Sequence, residues 1–429
     1  MSHTDTVCSA CESADVELRI DGTLTPIYRA SCADFAKFTL DKESDIVLTF
    51  PEEPESATVR PVSKGIDAAV NGREVRLRLA PATCVQVDIG TGRELFLFAV
   101  SPDIATPDAS GPKVRRLAAG SVHELGQVEL ASGDTLVIEP GAVLRGSIHA
   151  ADAHDITVCG GGIVDGSYWR ERGERRRGML FERCTNVTVE GITVINPTGW
   201  THAHYGCEDV TIRHIQEISE GNGSDGIDIL SCRRARVGDC FLRNGDDCLV
   251  VKAMPERVGE GSDGAVEDVL FERCTMLNVG AGSAMEIGHE LKTDEVRNIT
   301  FRDCDVLGVH GHGSVFGIHN AGNATVRDVL FDDIRVEHFF TYLISFRIIE
   351  SRYSRIPERG RIRNVHLKNI AVTAGRMNQG YSASLIGGYD AEHTIEGVTI
   401  ENLRIDGRRI GSADELDLYC RNAGGVRFG

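Results

Sequence analysis

Two short stretches near the middle of the chain concentrate carboxylates in a way that favours chemistry. Gly223-Ser-Asp225-Gly-Ile-Asp228 is followed by Asn244-Gly-Asp246-Asp247-Cys-Leu-Val-Val-Lys252, with Asp225 and Asp246 separated by 21 positions. If the two stretches lie on successive turns of a stacked structure, equivalent positions are about 4.8 Å apart. Asp225, Asp246 and Asp247 then share one surface. Carboxylates crowded in this way repel, so one keeps its proton to higher pH while another stays ionised. A neighbouring acid and base is the equipment of general acid–base catalysis. The competing reading is a polar turn, because Asn-Gly-Asp-Asp is also ordinary loop chemistry. The elements that carry these residues decide between the two.

Those elements repeat. An apolar phrase starts at Val189, Ile212, Val237, Phe271, Phe301, Phe331, Leu367 and Ile400, at intervals of 23 to 36 residues. A second apolar or Cys residue follows three positions later (Ile192, Ile215, Cys240, Cys274, Cys304, Ile334, Ile370, Leu403), with polar residues between. Helical repeats would need apolar residues at helical spacing over at least ten positions. Here the stretches are short, β-branched and bounded by Asn, Asp and Gly, so they read as strands. Strands that recur about 30 residues apart and pair with their equivalents are parallel, since no hairpin-length link joins them. The pattern predicts a parallel β-helix. Gly133–Gly146 and Asp155–Gly166 extend it toward the N-terminus.

Residues 16–112 do not follow the phrase. Strand-like pieces such as Glu74-Val-Arg-Leu-Arg-Leu and Leu95-Phe-Leu-Phe-Ala-Val, and the turn Asn71-Gly72, predict a small antiparallel β-sandwich. The division expected is a flexible N-terminus over 1–15, the sandwich over 16–112 and the parallel β-helix catalytic domain over 113–429. The sandwich is expected to cap the first coil of the solenoid. The 429 residues carry a net charge of −18, which argues against nucleic acid or an anionic membrane as partner. No run of 18 apolar residues and no basic, then apolar, N-terminal leader is present, so a cytoplasmic location is expected. Cys240, Cys274 and Cys304 share one position of the repeat with Ile and Leu, so they read as small buried hydrophobes. The Cys8/Cys11 pair lacks a second pair, and no metal or other cofactor is expected.

The order Asn222-x-x-Asp225-Gly-x-Asp228, then Gly245-Asp246-Asp247-Cys-x-x-x-Lys252, resembles family 28 glycoside hydrolases, the polygalacturonase family. It also resembles their clan relatives in family 49, the dextranases and isopullulanases. Gly161-Gly-Ile-Val-Asp-Gly166 and Asn196-Pro-Thr-Gly-Trp200 match as well, and the N-terminal sandwich resembles the extra domain of family 49. The resemblance implies a right-handed, pectin-lyase-like β-helix and inverting hydrolysis of an α-linked oligosaccharide or polysaccharide. It places Asp246 at the general acid, and Asp225 and Asp247 at the pair that activates water.

The departures bear on substrate. The family's Gly-His-Gly falls on Gly282-Ser283-Ala284, and its Arg-Ile-Lys, which grips a uronate, corresponds to the segment Phe316-Gly317-Ile318-His319-Asn320. A carboxylate buried without a cation is costly. A neutral, dextran-like or isomaltooligosaccharide-like substrate is therefore expected, with polygalacturonate as the alternative if Arg347 supplies the missing charge. Candidate substrate contacts are Trp200 and Tyr353 as ring platforms, and Asp228, Lys252, Glu286, His289, His319, Asn320 and Arg347 as polar partners. The basic stretch Trp169–Arg177 reads as a solvated loop that meets an acidic substrate if it borders the cleft. A polysaccharide lyase and a non-catalytic glycan-binding solenoid are the rival classes. Oligomeric state is not legible from the sequence.

Overall fold

The computed structural model describes residues 15–105, 110–259, 262–374 and 382–429. The expectations for residues 1–14, including Cys8 and Cys11, lie outside the described residues. From Val114 onward, 30 strands form one continuous sheet wound into a right-handed parallel β-helix. In the central coils each strand pairs with the third one after it. Thr185–Glu190 pairs with Glu208–Arg213, Thr193–Ile195 with Gln216–Ile218, and His202–Tyr205 with Ile227–Leu230. Each coil thus has three faces. In later coils two faces merge, and Glu295–Val309 pairs with both Val266–Glu272 and Thr275–Asn278.

The apolar phrase is the interior of the solenoid. Val189, Ile212, Val237, Phe271, Phe301, Phe331, Leu367 and Ile400 stand in one register column, each at most 1% exposed. Phe271, Phe301 and Phe331 stack at centroid separations of 4.7 and 5.0 Å. The Asn and Asp residues between apolar pieces serve the corners. Asn186, Asp209, Asp268, Asn298, Asp328 and Asn364, with Arg234 taking the place in one coil, recur once per coil with φ between 51° and 59°. Of the residues with a Cβ, Asn and Asp enter this left-handed region most readily. Their side chains also bond between coils, as from Asn186 Nδ2 to Asp155 Oδ1 at 2.6 Å. Cys240, Cys274 and Cys304 are buried in the core, and the Cys274 N–H donates to Cys304 Sγ at 3.4 Å. A second column, Cys184, Cys207 and Cys232, was not anticipated. Its signal was in the chain: each Cys stands five residues ahead of a phrase start.

Between Glu17 and Val100 the chain forms two five-stranded sheets packed face to face. One pair departs from the antiparallel expectation: Glu94–Val100 runs parallel to Ala33–Thr39, because the intervening chain crosses to the other sheet before returning. The capping expectation also needs correction. The sandwich lies along the flank of the solenoid. Tyr28, Phe35, Phe96 and Phe98 pack on an outward stripe of Val143, Ile163, Ile195, Ile218, Phe241, Leu277 and Leu307, drawn from successive coils. Phe241 sits 5.4 Å from both Phe96 and Phe98. The cause is local sequence. The strands Ile163–Asp165, Thr193–Ile195, Gln216–Ile218 and Phe241–Asn244 are buried on both sides, so their outer face needs a cover. Polar groups fix the register of that contact. Lys37 Nζ donates to Gly191 O and Thr193 Oγ1, and Arg243 pairs with Glu94 at 2.7 Å.

Candidate active site

One face of the solenoid is built from Ile227–Leu230, Leu249–Ala253, Met285–Leu291, Ser314–Asn320 and Tyr342–Ile348, stacked in parallel. Strand alternation sends Ile229, Val251, Ile287, Ile318 and Phe346 inward, and Asp228, Val250, Glu286, Gly317 and Ser345 to the opposite side. Asp225, Asp246 and Asp247 lie in the turns that lead into the first two of these strands. Backbone bonds stack the turns, with Gly226 N–H donating to Asp247 O at 2.8 Å. The three carboxylates each bring an oxygen within 4.8 Å of the others. The juxtaposition anticipated from the spacing is what the fold produces.

Their environments differ. Asp225 is 4% exposed and its Oδ2 accepts from Lys252 Nζ at 2.7 Å. Asp246 accepts from Gly223 N–H at 2.6 Å and from Asp247 N–H at 3.1 Å, and Asp247 from Ser283 N–H at 2.6 Å. Burial raises the pKa of Asp246, and the Asp225 charge adds to it. Asp247 is pushed well above the usual carboxylate range by burial and by Glu286 and Asp225. Asp246 and Asp247 therefore hold protons more tightly than ordinary carboxyls do, beside the Lys252 ammonium on Asp225. Gly282 is part of this construction and was missed as a site residue. At φ +71°, a Cβ there would lie 2.4 Å from Asp247 N and 2.5 Å from a carboxylate oxygen of both Asp246 and Asp247.

Lys252 and Asp228 were expected to contact substrate, and the structure corrects this. Lys252 is 4% and Asp228 0% exposed, and Lys252 Nζ also reaches Asp228 Oδ1 at 3.0 Å. Asp228 and Asp225 thus meet one ammonium, although a three-residue spacing within a strand would point them apart. The break comes at Gly226, where the turn becomes strand. Burial disfavours the Lys252 charge, but Asp225 and Asp228 outweigh it and hold it protonated. Asn320 is a second correction. It is fully buried, donates to Ala324 O at 2.7 Å and accepts from Gly322 N–H at 3.1 Å, so it closes its own turn.

Glu286, His289 and His319 form a second group on the C-terminal side. His319 Nδ1 lies 2.7 Å from Glu286 Oε1 and its Nε2 lies 2.9 Å from Ser345 Oγ. His289 stacks on His319 at 5.0 Å, and burial lowers its pKa to about 4, leaving it neutral. Burial would raise the Glu286 pKa, but His319 outweighs it and the carboxyl is held down. Tyr353, 55% exposed, meets His289 edge-on at 5.4 Å. Arg347 is exposed and stands one coil beyond His319 in the same column. Trp200 is half-buried, with Lys252 Nζ 4.1 Å and the Arg177 guanidinium 4.9 Å from its ring centroid, so it is less open than a bare platform. Both triads have the donor spacing of a cation site. In the first, the Lys252 ammonium already supplies positive charge. In the second, Glu286 Oε2 is buried without a hydrogen-bond partner among the described residues. Glu217 was also missed: it is buried beneath the site, with Oε2 bonded to Asn244 Nδ2 at 3.1 Å.

The chain resembles known proteins in sequence and in fold. The model of glycosyl hydrolases family 28 matches residues 136–422. A probable polygalacturonase of Arabidopsis thaliana is 23% identical over 44% of this chain and 40% of its own length. Another from the same plant is 25% identical over 50% and 49%. The chain thus spans about half the length of the curated relatives it matches, or less. Among solved structures, Dex49A from Penicillium minioluteum aligns with a TM-score of 0.69 over 100% of this chain and 97% of that one, at 14% identity. A hyperthermoactive exopolygalacturonase from Thermotoga maritima aligns with a TM-score of 0.52 over 69% and 85%, at 20% identity. At these identities the structural likeness speaks for the fold.

Proposed function

The chain belongs to glycosyl hydrolases family 28, and on that premise we propose that it is an inverting hydrolase of an α-linked glycan. Asp246 is the general acid that protonates the leaving oxygen, and Asp225 with Asp247 draws a proton from the attacking water. The observation that carries this is the trio of carboxylates within 4.8 Å, with Lys252 on Asp225. That separation of oxygens, at most 4.8 Å, is within reach of one water making two hydrogen bonds of about 2.7 Å. It is shorter than the roughly 6.5–9.5 Å between the carboxyl groups of a generic inverting pair. Here two carboxylates share the work on water. The deciding test is stereochemical: proton magnetic resonance during hydrolysis is expected to show the anomer opposite to that of the substrate first. A first product of retained configuration refutes the mechanism.

On the Glu286 side of the cleft the reading is a neutral sugar. Glu286, His289, His319 and Ser345 offer donors and acceptors to hydroxyl groups, and the family's cation pair is absent from Gly317-Ile318-His319. The polygalacturonase reading draws on the names of the curated relatives and on Arg347, exposed next to His319 in register. Comparing oligogalacturonate with neutral α-linked oligosaccharides, with Arg347→Ala alongside, separates the two. Preferred cleavage of oligogalacturonate that Arg347→Ala abolishes overturns the neutral reading.

A further inference from the structure

Contacts to sugar hydroxyl groups do not account for how closely Glu286, His289 and His319 converge. One donor atom of each lies within 4.8 Å of the other two. Glu286 is 1% exposed, and its Oε2 is buried without a hydrogen-bond partner among the described residues. A buried, unsatisfied carboxylate oxygen is costly, and a cation relieves it. The two imidazoles are half-buried and open to the cleft. A serine holds each ring at one nitrogen: His319 Nε2 lies 2.9 Å from Ser345 Oγ, and His289 Nδ1 lies 3.1 Å from Ser351 Oγ. The nitrogens left for the site are His289 Nε2 and His319 Nδ1, the latter 2.7 Å from Glu286 Oε1. Imidazoles that ligate an ion are oriented in this way, through a hydrogen bond at the other nitrogen.

The backbone departs from regular strand to assemble this group. Glu286 and His289 are three residues apart, and strict alternation would send them to opposite faces. Gly288 breaks the alternation with φ +136°, and a Cβ there would collide with the His319 carbonyl. Gly317 leaves room for the carboxylate, since a Cβ there would collide with Glu286 Oε2. The third donor, His319, comes from the next coil, which hid the group in the sequence. Two imidazoles and a carboxylate suit zinc and its neighbours, whereas calcium and magnesium take oxygen donors. Ligands about 2.0–2.2 Å from one such ion stand roughly 3–4 Å apart, so side-chain rotation draws the three together. The ion replaces the proton that joins Glu286 to His319. The cations nearby do not dominate: Lys252 is faced by Asp225, Asp228, Glu290 and Asp247, and Arg347 is exposed to water. We infer that Glu286, His289 and His319 form a binding site for one divalent transition-metal ion of the zinc type. Three protein ligands leave a coordination position open toward the cleft. Resting on the neutral-sugar reading above, that position takes a hydroxyl group of the glycan.

The test reads the metal itself. Full-length protein stripped with a chelator is titrated with Zn²⁺ by calorimetry and with Co²⁺ by visible absorption. One ion per chain is expected, with a Kd of about 1 μM or tighter. Glu286→Gln and His289→Ala should each weaken binding at least about 100-fold. Ser351→Ala, which removes only the bond that orients His289, should weaken it about 10-fold. His289 is half-buried, so its variant keeps the test open if Glu286→Gln does not fold. Millimolar binding only overturns the proposal. So does tight binding that survives both ligand variants and is lost in Asp247→Asn, since it places the ion on the aspartates. For the open position, isomaltotriose added to Co²⁺-loaded Asp246→Asn protein should shift the cobalt absorption. An unmoved spectrum, or one moved by trigalacturonate alone, overturns the hydroxyl assignment. Preferred cleavage of oligogalacturonate would remove the neutral-sugar reading, and a product of retained configuration the hydrolase mechanism. Neither changes metal uptake, so the failures are distinguishable.

Discussion

At the scale of single residues, the site is three aspartates separated by their surroundings. Asp246→Asn leaves the shape of the site but removes the transferable proton, and is expected to lower kcat by at least about 100-fold. Circular dichroism and melting temperature should stay near those of the parent. Lys252 makes a sharper test of the electrostatics. Its ammonium opposes the rise in pKa at both Asp246 and Asp247. Removing it in Lys252→Met lets both carboxyls hold their protons to still higher pH. The general acid must be protonated, so the alkaline limb of kcat/KM should move up. The base must be ionised, so the acid limb should move up as well. A profile that only loses height, without moving, contradicts the assignment of Lys252 as the ion that sets these groups. Asp225, Asp246 and Asp247 were legible as a group because one turn of the repeat separates them. Gly282 was not, because its importance lies in an atom it lacks.

At the scale of the element, each coil contributes one strand to the cleft and one column to the core. The Phe271–Phe301–Phe331 stack lies inside the solenoid, one face away from the cleft strands, and Phe316 meets Phe331 edge-on at 5.0 Å. Phe301→Ala is expected to cost about 3–5 kcal/mol of stability by leaving a cavity in a rigid stack. Denaturant titration measures it, and a loss below about 1 kcal/mol would mean that the coils collapse onto the gap. The cysteine columns give a chemical check on the same register. Cys184, Cys207, Cys232, Cys240, Cys274 and Cys304 are buried as free thiols, whereas Cys420 is exposed. Mass mapping after brief alkylation should find Cys420 modified in the native protein and the other six only after denaturation. The repeat phrase was visible because core packing imposes a strict period of apolar residues. The second cysteine column and the strand Thr83–Asp88 were not, since neither follows that phrase.

At the scale of the whole molecule, the sandwich and the solenoid share an apolar face. The stripe from Val143 to Leu307 has water as its only alternative to Tyr28, Phe35, Phe96 and Phe98. A protein that begins at Ser110, without the sandwich, is therefore expected to aggregate or to associate through that stripe, as exposed apolar patches of this kind do. Light scattering of the truncated and full chains compares them. A monodisperse, fully active truncated enzyme would show that the stripe needs no cover. The same contact explains Lys37. Burial at the junction lowers its pKa to about 7, so separating the two parts would re-expose it to water and restore its charge.

What the sequence determined by itself was the repeat: its period, its parallel pairing, the interior column and the meeting of three aspartates on one surface. These follow from alternation and spacing, which are local and survive any arrangement of the outer face. Only the tertiary structure decided which polar residues look into the cleft. Asn320 and Asp228 carry the same side-chain chemistry as a sugar ligand, yet one closes its own turn and the other sits under an ammonium. The flank position of the sandwich and the meeting of Arg175 and Arg177 with Trp200 were decided there as well. Both depend on contacts between segments far apart in the chain, where packing and charge neutralisation, not periodicity, set the geometry.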